Sequence, residues 1–115
     1  MIRLDLRREP YWFDLGHGVR VKVRPLTTAL MKAVQADLAR HPSDADPAAT
    51  RAETLLSLLA RHAILEWDGV GDEKGEPAPV TPENVEALMR LWPIAEAFER
   101  LYLAPALLLE DEKNA

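Results

Sequence analysis

On either side of Gly16-His17-Gly18 the apolar residues fall on every second position: Tyr11, Phe13 and Leu15 before it, Val19, Val21 and Val23 after it, the last three alternating with Arg20, Lys22 and Arg24. A strand turns successive side chains to opposite faces, so this spacing gives each arm one apolar face. Glycine supplies the positive φ that tight reversals need, and the segment reads as a β-hairpin. Ile2, Leu4 and Leu6 alternate with Arg3, Asp5 and Arg7 in the same manner, which predicts a further strand ahead of Pro10.

Past Pro25 the period changes from two to about four. Leu30, Val34 and Leu38 mark one face of a helix near residues 28–40, with Thr27 or Thr28 as its cap. His41 to Asp46 reads as a connecting loop. Asp46-Pro47 then opens a long helix carrying Leu55, Leu58, Leu59, Ala63 and Leu65, expected to reach about Glu66 and to break at Trp67-Asp68-Gly69. Asp72 to Pro79, rich in acid, glycine and proline, is expected to be an exposed excursion held by few contacts. Thr81-Pro82-Glu83-Asn84 combines a hydroxyl cap, a first-turn proline and an acid at the positive helix end, so a helix with Val85, Leu88 and Met89 inward follows. Pro93 kinks that helix or opens the next, along which Ile94, Phe98, Leu101 and Leu108 share a side, and Glu110 to Ala115 should fray.

The expectation is one α+β domain over residues 1–115: an N-terminal antiparallel hairpin or three-stranded sheet (1–25), about four helices (26–109) and a frayed tail (110–115). A chain of 115 residues with 48% apolar content suits a single core. Its apolar stretches are too short or too charged to span a bilayer, and its start lacks the basic and apolar runs of a secretory leader, so a cytoplasmic protein is expected. Without cysteine it has no disulfide framework, thiolate nucleophile or Cys-ligated zinc.

The net charge of −5 is unevenly spread. Residues 1–40 hold eight Lys/Arg and four Asp/Glu (8 − 4 = +4), leaving six and fifteen for residues 41–115 (6 − 15 = −9). Such asymmetry permits head-to-tail self-association or a charged partner, while the overall acidity argues against nucleic acid.

No reactive centre assembles from spacing. His17, His41 and His62 are dispersed, none in an HxxxH or HExxH pair, and His62 reads as a core-edge histidine beside Leu58 and Leu65. Asp68, Asp72, Glu73 and Glu76 lack the alternating oxygens of a calcium loop and read as a solvated turn. Gly16-His17-Gly18 lacks the further glycine and the strand-to-helix setting of a dinucleotide loop. Ser43 and Ser57 lack the glycine-flanked setting of a nucleophile elbow. No catalytic residue, metal or cofactor is therefore expected.

Two surfaces remain. Arg20, Lys22 and Arg24 place three cations on one strand face, either solvated or gripping an acidic protein; no aromatic interleaves with them as nucleic-acid stacking requires. Leu101, Tyr102, Leu103, Leu107, Leu108 and Leu109 cover more than one side of a helix, so either the core encloses them all or some meet a partner.

Val23-Arg24-Pro25-Leu26-Thr27, Glu66-Trp67-Asp68-Gly69-Val70, Asp72-Glu73-Lys74-Gly75, Thr81-Pro82-Glu83-Asn84-Val85 and the late Glu112-Lys113-Asn114 occur in that order. The arrangement resembles the tail assembly chaperones of long-tailed phages and their prophage or gene-transfer-agent relatives. The resemblance spans most of the chain through structural punctuation rather than catalytic signatures. It implies a nonenzymatic morphogenesis factor, acting in the host cytoplasm and absent from the finished particle. Such a factor binds the tape-measure protein, keeps it soluble and helps tail-tube subunits polymerise around it. On that reading Phe98, Leu101, Tyr102 and Leu108 contact the client. The other reading is a small cytoplasmic adaptor using Arg20, Lys22 and Arg24.

Overall fold

A computed structural model describes residues 9–40 and 51–105. The strand expected at residues 2–6, the Asp46-Pro47 cap, and Leu107 to Leu109 lie outside them.

The hairpin is present. Strand β1 (Tyr11–Gly16) pairs antiparallel with β2 (Val19–Val23), Tyr11 opposite Val23 and Phe13 opposite Val21. His17 and Gly18, with φ of 55° and 78°, supply the two positive-φ positions of the reversal. The register shifts between Asp14 and Gly16, where the Asp14 carboxylate accepts a 2.7 Å hydrogen bond from the Gly16 amide. Leu15, Val19, Val21 and Val23 are all buried, as their spacing requires.

Helix α1 (Thr28–Arg40) buries Leu30, Val34 and Leu38, and Thr27 is its cap, the hydroxyl accepting from the Leu30 amide at 3.1 Å. Helix α2 (Arg51–Ala63) packs against α1 and buries Leu58 and Leu59.

The reading of a helix continuing to Glu66 is corrected here. At Ile64 the chain becomes strand β3 (Ile64–Asp68), antiparallel to β2, and the sheet order is β1-β2-β3. Leu65 sits one heptad after Leu58 and so mimics a continuing helical stripe. Pairing with β2 satisfies the backbone groups of both strands and outweighs that local pattern. A bulge between Lys22 and Val23 lets Ile64 meet Val23 while Trp67 meets Val21.

Gly69 then brings the chain so close to the hairpin turn that a Cβ there would collide with the carbonyl oxygen of Gly18; its φ is +84°. The excursion that follows is exposed but well tied, contrary to expectation. The Asp72 carboxylate accepts from the amides of Lys74 (2.8 Å) and Glu76 (3.0 Å), Gly71 bridges to Pro77, and the Trp67 indole donates to the Ala78 carbonyl at 2.7 Å.

Helix α3 (Pro82–Met89) starts at Thr81, whose hydroxyl accepts from the Asn84 amide at 3.2 Å, and it buries Val85 and Leu88. Pro93 lies in the first turn of α4 (Trp92–Phe98), which runs into a π-helical turn over Glu99–Leu103. The result is an α+β fold in which helices cover one face of a three-stranded antiparallel sheet.

Candidate interaction surface

The last helix distributes its apolar residues differently from the expectation. An unbroken α-helix would place Ile94, Phe98 and Leu101 on one side. The π-turn inserts a residue, so the buried set becomes Ile94, Ala97, Phe98, Tyr102 and Leu103, and Leu101 rotates outward to 43% exposure. Phe98 and Tyr102 are therefore corrected as contact residues: at 0% and 4% exposure they belong to the core. Phe13 stacks on Tyr102 with the rings 6.1 Å apart and 9° from parallel, and Phe98 lies 5.0 Å from Tyr102. The Tyr102 hydroxyl donates to the Arg24 carbonyl at 2.6 Å, and burial, followed by the neighbouring Tyr11, raises its phenol above the ordinary tyrosine range. Leu108 lies outside the described residues.

The three cations do not form one free basic face. Arg20 stands opposite Asp14 on β1 and Asp68 on β3, with its guanidinium 5.2 Å from the centre of the Trp12 ring. Lys22 is bonded to Glu66 at 3.2 Å. The outward side of the sheet thus alternates in sign from strand to strand. Arg24 lies beyond the end of β2, where its amide donates to the Ala63 carbonyl at 2.9 Å and its carbonyl accepts from the Tyr102 hydroxyl.

Among the described residues, apolar exposure is greatest at a place the sequence did not single out. At the corner between α3 and α4, Leu91 is 55% and Trp92 77% exposed, beyond Trp12 at 39%. One signal for this was available. Trp92 lies two residues before Ile94, some 200° around the helix, and so falls off the stripe that Ile94 and Phe98 define.

Among the described residues no group of three or more His, Asp or Glu is placed to hold a metal ion. His62 meets Asp37 at 3.1 Å, linking α2 to α1 at the margin of the core, and His17 occupies the hairpin turn. No helix among the described residues is long and apolar enough to cross a membrane.

Compared with known families, residues 20–115 match the model described as YdaY prophage protein. No curated protein and no solved structure matches the chain.

Proposed function

The chain belongs to the YdaY prophage protein family, and from that footing we propose that it is a nonenzymatic tail assembly chaperone that binds the tape-measure protein of its phage and assists assembly of the tail tube. Membership supports a phage-related role. The step from there to a chaperone rests on the order of motifs described above and on one observation: adjacent large apolar side chains, Leu91 and Trp92, stand exposed at a helix corner.

A chaperone for a long apolar client needs surface of this kind, because burying each such side chain contributes about 1.5–3 kcal/mol before ordering costs. Leu101 adds a further exposed apolar residue on the same continuous helical segment. Glu86 and Glu96 are paired with Arg90 and Arg100 at 3.3 and 3.2 Å, so the two arginines flanking this corner are already engaged and apolar contact carries recognition. Host cytoplasm is where such a role would be performed.

Coexpression with the tape-measure protein of the same prophage tests the proposal. The client should become soluble and copurify with the chain. A client equally soluble alone, and never retained by the chain, contradicts it.

A further inference from the structure

On the outer side of the last helical segment three residues follow one another at four-residue intervals: Trp92, Glu96 and Arg100. Residues four apart are neighbours on one helix face, and the 3.2 Å contact between Arg100 Nε and Glu96 shows that the spacing carries into the π-turn. All three are exposed, Trp92 to 77% and the side chains of Glu96 and Arg100 to 47% and 61%.

This stripe is complementary to its own reverse. Trp92 and Arg100 lie four residues to either side of Glu96, so two copies laid antiparallel about a two-fold axis at Glu96 set each Trp92 against the other copy's Arg100. A symmetric interface needs that exchange, residue i meeting j while j meets i. Bonding to Glu96 through its edge leaves the flat face of the Arg100 guanidinium free, so it can stack on an indole without giving up its carboxylate. The chain already makes one such contact internally, with the Arg20 guanidinium 5.2 Å from the centre of the Trp12 ring. At the axis each Glu96 is held by its own Arg100, which offsets the approach of the two carboxylates.

From this geometry we infer that the chain pairs with a second copy of itself through the Trp92, Glu96 and Arg100 face of its last helical segment. A partner of unrelated sequence has no reason to present the matching order, whereas a second copy presents it by symmetry. About three turns of helix from each chain cover less than the roughly 1,200–2,000 Å² of a stable complex, so the pair is weak and reversible. It covers Trp92, and on the chaperone reading, on which this consequence alone rests, the second copy shields the client surface until a client displaces it.

Sedimentation velocity of the full chain without any client, over about 10–1,000 µM, should show a monomer passing into a dimer. Trp92→Ser and Arg100→Gln should each weaken the dimer about tenfold or more, because each removes both indole–guanidinium contacts, and both variants should keep the parent melting temperature since the altered side chains are exposed. An equimolar mixture of the two variants restores one contact in the mixed pair and should associate more tightly than either variant alone. The chain contains no cysteine, so Glu96→Cys places a single thiol at the axis; it should cross-link into a disulfide dimer under mild oxidation much faster than Glu73→Cys in the exposed excursion. A monomer at every concentration, a mixture no tighter than its components, or equal cross-linking of the two cysteine variants would overturn the inference. A chain that dimerises in this way but retains no client upholds the pair and contradicts the chaperone reading; one that retains the client and never dimerises does the reverse.

Discussion

At Gly69, two segments of backbone meet with no room between them. The chain leaving β3 crosses the hairpin turn so closely that any side chain would strike the Gly18 carbonyl, and its φ of +84° is itself unfavourable for other residues. Gly69→Ala should therefore lose more than the roughly 1–2 kcal/mol set by the left-handed conformation alone, since the collision adds to it; urea unfolding measures the loss. Tyr102 allows a second test at this scale. Its phenol is raised in the folded state by desolvation and by Tyr11, so between the unfolded value near 10 and the higher folded value the unfolded chain releases a proton that the folded chain keeps. The contribution is complete below about pH 10 and declines as pH rises beyond it. Tyr102→Phe keeps the stacking on Phe13 but leaves the Arg24 carbonyl without its donor. It should cost about 1–3 kcal/mol at neutral pH and flatten the alkaline fall in melting temperature.

Among the elements, the 69–80 excursion is the most informative about what local chemistry can achieve. Asp72→Ala removes the acceptor shared by the Lys74 and Glu76 amides, and both should then exchange hydrogen with water much faster while the amides of β2 stay protected. Thr81→Ala should cost about 1 kcal/mol through the lost cap of α3, read by thermal melting. The capped helices and the hairpin were legible because their signals are local: a hydroxyl before a proline, a four-residue stripe, glycines between two runs of alternating apolar residues. Strand β3 was not, because Ile64 to Asp68 acquires its identity from pairing with β2, more than forty residues earlier in the chain. The π-turn was hidden for a related reason. Nothing in Glu99 to Leu103 announces an extra residue in the turn; the aromatic cluster of Phe13, Phe98 and Tyr102 rewards it, and Tyr102 joins Phe98 inside while Leu101 turns outward.

Over the whole molecule, polar and apolar surfaces are sorted by element. Among the described residues the sheet's outer side is mainly charged, with Lys22 on Glu66, Arg20 between Asp14 and Asp68, and Trp12 beneath the Arg20 guanidinium, whereas the helical part leaves Leu91, Trp92 and Leu101 uncovered. Because Leu91 and Trp92 already meet water, replacing both with serine should change stability by no more than about 0.5 kcal/mol each, leaving any loss of function attributable to binding. The direct comparison is the yield of soluble tape-measure protein coexpressed with the parent chain and with the Leu91→Ser, Trp92→Ser double variant, at matched levels of the two folded proteins. The parent should retain the client in solution and bring it through purification, and the double variant should lose most of that capacity. Equal yields with both, or with neither chain present, would contradict the chaperone reading and the surface assigned to it.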